Sequence, residues 1–259
     1  MPNDAVTALR RERLALLSFC RDLDEEQWRT PSAAPGWRVQ DVVAHMGSSC
    51  RAMFGPAALE LVRSKDIERS NEVLLGRRRD WSPSQVLAEY ERWSQVVLRV
   101  MGAVSRTPLV RAPMRLAELG RFSTGQLLCA IVFDTHTHLR HDIAPALGRP
   151  APSTDANRMA VVLEWMMAVL GNQLRAAGPA WLDRPLSITL SGPGGGCWVV
   201  RPGGAVTLGS PDGAAAQIDG TAIEFPEWAT QRAAWRDREV AIGGDDEYAA
   251  RFLDAVNVV

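Results

Sequence analysis

The spacing of apolar residues along roughly the first 175 positions is typical of α-helices. Between residues 5 and 23, apolar side chains recur every three or four positions, which is the period of one helix face. The same spacing predicts four further helices, at residues 39–64 with a break at Gly55–Pro56, from Pro83 onward, at 123–147 and at 155–176. Ser82 before Pro83 favours a helix start, because serine caps free N–H groups and proline fits the first turn.

Helix-breaking residues and a change of pattern divide the chain. Pro31, Pro35 and Gly36 predict a loop over residues 22–37. After Gly178–Pro179, short β-prone runs at 188–190, 197–200 and 205–208 alternate with glycine- and proline-rich turns, which predicts a meander. A helix at 226–234, a short strand and a final helix follow. We therefore predict an all-helical domain at residues 1–177 and a small α+β domain at 178–259.

Composition excludes several classes of protein. The 259 residues are 46% hydrophobic and 23% charged, which is typical of folded domains with cores and excludes a disordered chain. A net charge of −1 disfavours a nucleic-acid partner. Because the first residues carry early charges and no long apolar core, we expect no signal peptide, and no apolar run is long enough to span a membrane. The four cysteines lack paired spacing, so we expect reduced thiols in a cytoplasmic protein. The oligomeric state stays open.

Histidine is scarce and clustered. The chain has four histidines, and His136, His138 and His141 lie within six residues. At about 100° per residue on an α-helix, Asp134, His138 and His141 share one face, with Asp142 at its edge and His136 pointing away. An acidic residue and a histidine four positions apart can reach one metal ion.

A further ligand has to come from another helix. His45 is the remaining histidine, and a bundle that brings it against Asp134 and His138 forms a three-ligand site with an open fourth position. Zn²⁺ suits these ligands best, with Ni²⁺, Fe²⁺ and Mn²⁺ as alternatives. The simpler interpretation of each histidine alone is a surface or hydrogen-bonded core residue; the shared face and the scarcity favour a metal site.

A second histidine motif is disfavoured. Residues 135–141 read Thr-His-Thr-His-Leu-Arg-His, one residue away from the THxHxDH motif of metallo-β-lactamase-type hydrolases. Arg140 stands where that motif has the aspartate for a second metal, and a guanidinium does not bind a cation. The motif also follows a β-strand, whereas these residues lie in helical sequence.

A longer motif lies upstream, between residues 23 and 46. It contains Trp28, Pro31-Ser32, Pro35-Gly36-Trp37 and the stretch Asp41-Val42-Val43-Ala44-His45. This pattern resembles the N-terminal signature of the mycothiol-dependent maleylpyruvate isomerase family, which belongs to the DinB/YfiT-like metalloenzymes. Residues 241–245 and 250–254 resemble the close of that family's sterol-carrier-like C-terminal domain, so the resemblance covers nearly the whole chain.

The resemblance implies a mostly α fold, in which a DinB-like four-helix bundle holds a divalent metal ion, usually zinc, and a small α+β sterol-carrier-like domain follows. The implied metal ligands are His45, Asp134 and His138. The family usually carries an aspartate three residues after that last histidine. This chain has His141 there and Asp142 one residue later, which leaves open whether His138, His141 or both are ligands.

The resemblance also implies a reaction. A small dicarboxylate is isomerised from cis to trans when the thiolate of mycothiol adds to its C=C bond, and an arginine of the C-terminal domain, here Arg232, binds the carboxylates. The alternatives are a mycothiol S-transferase acting on a small electrophile, a metal-dependent hydrolase, and a ligand-binding protein without activity.

The remaining motifs are predicted to be structural. Cys50 and Cys129 are expected to be buried, inert thiols. The glycine-rich residues 192–196 predict a hairpin loop, because no phosphate-binding lysine follows. Residues 77–79, three arginines, predict a solvated turn. Trp28 and Trp37 are expected to be packing anchors, with Trp37 alternatively lining the pocket.

Overall fold

The computed structural model of the chain describes residues 4–55 and 67–258. These residues form two compact units; the first ends at Ser153 and the second begins at Thr154. Among the described helices, none combines the length and the apolar character needed to cross a membrane.

Four long helices build the first unit. They are α1 (Ala5–Arg21), α3 (Val39–Ala52), α5 (Pro83–Val104) and α6 (Thr124–Thr137). Helix α3 packs against α5 and α6, and α1 packs against the same two helices, so the four close around a common core. The predicted four-helix bundle is confirmed, as is Ser82 as the cap of α5.

Apolar residues at helical spacing fill the bundle. Completely or almost completely buried side chains come from several helices: Leu16, Leu17, Val42, Val43, Val86 and Tyr90. Each such side chain contributes about 1.5–3 kcal/mol when removed from water. Gly47 lets α3 and α5 approach closely, since a Cβ atom there would lie 3.1 Å from the Tyr90 backbone nitrogen.

The described residues of this unit also form two short α-helices, α2 (Glu25–Arg29) and α4 (Ile67–Gly76). The loop prediction for 22–37 is wrong where α2 forms. The reason is a capping box, in which Asp24 and Gln27 each accept a backbone N–H of the other. The end of the predicted second helix, residues 56–64, lies outside the described residues. Helix α4 was not predicted.

The signature residues before His45 organise the start of α3. The Pro31 and Arg38 backbones pair, and the turn between them uses Gly36 at φ +79°. Asp41 accepts the backbone N–H and the guanidinium of Arg38, which closes the first turn of α3. Burial would raise the pKa of Asp41, but these hydrogen bonds lower it below its ordinary value.

A β-hairpin that was not predicted, β1 (Pro113–Leu116) with β2 (Gly120–Ser123), precedes α6. The predicted helix 123–147 begins as α6 and then changes character. Residues His138–Ile143 form a π-helical turn, and the Ala144 N–H donates to the Leu139 carbonyl, five residues back.

A buried ion pair holds this turn. The Arg140 guanidinium lies 2.7 Å from the Glu12 carboxylate on α1, and both side chains are buried. Arg140 also donates to the carbonyls of His136, Pro152 and Ser153. The turn is therefore anchored to α1 and to the chain that follows it.

The second unit contains one long helix and a five-stranded sheet. The elements are α7 (Ala156–Ala177), β3 (Leu186–Ser191), β4 (Gly196–Arg201), β5 (Ala205–Leu208), β6 (Ala216–Thr221), α8 (Phe225–Ala229), β7 (Ala241–Gly244) and α9 (Asp246–Ala255). The strand order is β5-β4-β3-β6-β7. The meander β3–β4–β5 is antiparallel as predicted, whereas β6 runs parallel to β3.

Helix α7 packs against β5 and α8 in this unit. The boundary between the compact units lies after Ser153, whereas the predicted domain boundary lies after residue 177. The difference arises because α7 belongs to the same compact unit as the sheet. The helix predicted at 226–234 is shorter in the structure, because α8 ends at Ala229 and Gln231 adopts a left-handed φ of +58°.

The Arg140–Glu12 pair generates a stability prediction. We expect Arg140→Met to lower the free energy of unfolding of the first unit by about 3–5 kcal/mol, because the Glu12 carboxylate would lose its buried counterion. Urea denaturation measures the effect. The control is Arg29→Met, which removes an exposed pair with Glu25 and should cost about 1 kcal/mol or less. Equal effects of the two variants would contradict the structural role of the buried pair.

Candidate metal centre

Two helices bring three of the predicted ligands together. Because α3 packs beside α6, His45 meets Asp134 and His138. The Nε2 atoms of both histidines lie 3.2 Å from the same oxygen, Oδ1 of Asp134. His45, Asp134 and His138 each offer one possible metal-ligand atom, and these three atoms lie within 4.8 Å of one another. Among the described residues, this is the group of histidine, cysteine or acidic side chains that could hold a metal ion.

A buried carboxylate fixes the second histidine. Asp142 Oδ2 lies 2.6 Å from Nδ1 of His138, and the Asp142 side chain is inaccessible to solvent. An Nδ1–H that donates to Asp142 fixes the ring, with Nε2 of His138 facing Asp134. The Asp142 carbonyl also accepts the Ala33 N–H at 3.0 Å, which connects the loop between α2 and α3 to this turn.

The π-helical turn selects among the clustered histidines. Each residue of a π turn advances by a smaller angle than in an α-helix. The fourth residue after His138, Asp142, therefore comes closer to alignment with it, and the third, His141, falls further behind. His141 and the buried His136 lie outside the group formed with His45.

Opposite charges set the protonation of the site. Burial alone would raise the pKa of Asp134, but His45 and His138 lower it far below its ordinary range. Burial would lower the pKa of His138, but Asp134 and Asp142 raise it to about 9. The carboxylate is thus held as an anion between two imidazoles.

An indole covers both imidazoles. The Trp37 ring centroid lies 5.1 Å from that of His45 and 6.2 Å from that of His138. Trp37 therefore lines the site as well as packing against the core, while Trp28 is a buried core residue. The side chains of His45, His138 and Asp134 are 7%, 12% and 21% exposed, so the group opens toward solvent on the Asp134 side.

The other residues singled out by sequence lie elsewhere. Arg232 belongs to the second unit, where its exposed guanidinium donates to Thr230 Oγ1; its predicted role stays a prediction. Residues 192–196 form the hairpin between β3 and β4, as predicted. The solvated turn predicted at 77–79 is wrong for Arg78, which is buried in an ion pair with Glu89.

Most of the cysteines are buried. Cys20, Cys50 and Cys129 are buried, and Cys197 is partly buried. Burial raises the pKa of the Cys20 thiol to about 12, despite Arg149 nearby. Burial also raises the pKa of Cys50 well above its ordinary value, and the carboxylates of Asp134 and Glu89 raise it further. Neither group supplies a thiolate at neutral pH.

A helical bundle that joins two histidines and an aspartate from neighbouring helices defines a class of candidate metalloproteins. Residues 9–144 match the family model described as the mycothiol maleylpyruvate isomerase N-terminal domain. The chain belongs to this family, so the resemblance carried by the signature residues is confirmed.

Solved structures agree with the family at the level of the fold. Crystal structures of the mycothiol-dependent maleylpyruvate isomerase and of a point mutant of it each superpose with a TM-score of 0.57. Each shares 14% sequence identity and covers 92% of this chain and 91% of its own. No curated protein matches the sequence.

The burial of the thiols generates a labelling prediction. In the folded protein at pH 8, we expect Cys20 and Cys50 to react with a disulfide reagent at least about a hundredfold more slowly than in urea, because burial raises the pKa of both thiols. Mass spectrometry of the labelled peptides identifies each site. Labelling of Cys50 at the same rate in the folded and unfolded chain would contradict this burial.

Proposed function

We propose that the chain is a metal-dependent enzyme that uses mycothiol to isomerise a small unsaturated dicarboxylate. The convergence of His45, Asp134 and His138 supports this proposal, since it occurs in a chain of the mycothiol maleylpyruvate isomerase family. The substrate class and the reaction are carried over from the family.

The donor set fits a divalent cation. Ligands at bond lengths of about 2.0–2.2 Å around a tetrahedral ion lie about 3.3–3.6 Å apart. The two Nε2–Oδ1 distances of 3.2 Å are close to this spacing. Two imidazoles and one carboxylate leave a fourth position for an exogenous ligand, and they suit Zn²⁺ best, with Ni²⁺, Fe²⁺ and Mn²⁺ as alternatives.

A bound cation at this point would lower the pKa of a coordinated thiol, so that the thiolate predominates at neutral pH. The chain's own contribution is orientation. Asp142 keeps a proton on Nδ1 of His138 and thereby directs Nε2 at the ion. Trp37 packs beside both imidazoles. We propose that thiol and substrate reach the site on the side of Asp134, whose side chain is partly exposed.

The proposed chemistry conserves the thiol. The thiolate sulfur adds to one alkene carbon, and the π electrons move to the neighbouring carbon, where the adjacent carbonyl stabilises the negative charge. Rotation about the resulting single bond and expulsion of the thiolate restore the alkene in the trans geometry. We propose Arg232 as the group that binds a substrate carboxylate through paired N–H···O bonds.

Metal content tests the ligand assignment. Purified protein should carry about one equivalent of a divalent metal, and His45→Ala, Asp134→Ala and His138→Ala should each lower this content severalfold, because three protein ligands are needed to hold the ion. Elemental analysis measures it. The matched control is His141→Ala, from the same helical segment, which should keep the metal. Loss of metal in His141→Ala with retention in His138→Ala would reverse the assignment.

Turnover tests the reaction. With metal and mycothiol present, we expect loss of maleylpyruvate absorbance and formation of the trans product, and at least about a hundredfold lower rate without the thiol, because the thiolate is the attacking group. A stable thioether product instead would indicate an S-transferase, and thiol-independent hydrolysis of an ester or amide would indicate a hydrolase. Absence of any turnover by the metal-loaded protein would favour a ligand-binding role.

A further inference from the structure

The two histidines of the candidate centre are held in different ways. His138 has a buried carboxylate on its second ring nitrogen. His45 is buried as well, but its Nδ1 atom has no hydrogen-bond partner among the described residues. Metal-binding histidines usually donate their second N–H to an acceptor that fixes the ring. Asp134 contacts the Nε2 side of His45, so on the Nδ1 side the ring has to be held by another kind of contact.

Trp37 supplies that contact. Its indole packs at 5.1 Å and 49° against the His45 imidazole. The backbone of Trp37 is itself fixed, since its carbonyl accepts both the N–H and the hydroxyl of Ser32 at 2.8 and 2.9 Å. The side chain can still rotate unless its far edge is held.

Glu72 holds that edge. The indole Nε1–H of Trp37 donates to Glu72 Oε1 at 2.9 Å, across a separation of 35 residues. Glu72 lies on α4, which packs against α3, the helix that carries His45. The second carboxylate oxygen of Glu72 lies 3.5 Å from the Arg79 guanidinium.

We propose that Glu72 is a positioning residue that orients His45 through Trp37. The inference rests on the proposed metal site. The hydrogen bond to Glu72 fixes the indole, and the fixed indole restricts the imidazole, in place of an Nδ1 acceptor, which the described residues do not supply. The half-exposed Glu72 carboxylate thus influences a metal ligand that it does not touch.

Cobalt binding tests the proposal, because Co²⁺ reports both affinity and coordination geometry through its visible absorption. Glu72→Ala should weaken Co²⁺ binding by about tenfold, at the lower end of the effect of outer partners of metal ligands, and should change the shape of the absorption band. Glu72→Gln keeps an acceptor for the indole and should stay within about twofold of the wild type. The control is Glu25→Ala, which removes an exposed glutamate paired with Arg29 and should have no effect.

A double-mutant cycle tests the path through the indole. Trp37→Phe keeps a ring beside His45 but removes the N–H donor, so it should weaken binding as Glu72→Ala does. Glu72→Ala in the Trp37→Phe background should then change the affinity by less than about twofold, because the two residues act as one unit. Far-UV circular dichroism and the urea midpoint verify that each variant is folded.

The outcomes separate the two proposals. A wild-type protein that binds no Co²⁺, or that binds it equally well as His45→Ala, overturns the proposed function and this inference with it. Normal binding and an unchanged spectrum in Glu72→Ala overturn the positioning role alone. Independent, additive losses in the double variant would show that Glu72 acts by a route other than Trp37.

Discussion

The carboxylate of Asp134, shared by two imidazoles, is the contact on which the candidate site of the first unit depends. A charge removed from water is costly unless it is paired and hydrogen-bonded. His45 and His138 meet this need from two different helices, both at 3.2 Å from one oxygen. The same geometry that stabilises the anion places three metal-ligand atoms around one point, so the pairing of charges and the proposed cation site are one arrangement.

The surrounding structure keeps these three residues in place. Gly47 allows α3 to approach α5, and the buried Arg140–Glu12 pair anchors the turn after His138 to α1. That turn is π-helical, a geometry found frequently at functional sites. It places Asp142 against His138, and the hydrogen bond from the Ala33 N–H to the Asp142 carbonyl joins the loop between α2 and α3 to the same turn. Packing, ion pairing and the candidate site are therefore coupled within one bundle.

The family and the fold define the chain as maleylpyruvate-isomerase-like, and the proposed chemistry takes its nucleophile from an external thiol. The buried cysteines lie where burial raises the pKa of Cys20 and Cys50. The candidate centre instead includes the partly exposed Asp134 side chain, and we propose that a small thiol enters on that side. In the proposed chemistry, the protein contributes orientation and charge, and the thiol contributes the nucleophile.

The sequence by itself determined the helical bundle and the cap at Ser82, because these follow from spacing along the chain and from a local signature. It also predicted His45 and Asp134 as candidate ligands and left His138 and His141 as alternatives. Only the tertiary structure decided that Asp142 contacts His138 while His141 lies outside the group. This choice depends on a π turn held by Glu12, 128 residues from Arg140. The burial of Arg78 and the place of Trp37 between His45 and Glu72 were also decided there. Such contacts join positions far apart in the chain, and the periodicity of neighbouring residues carries no information about them.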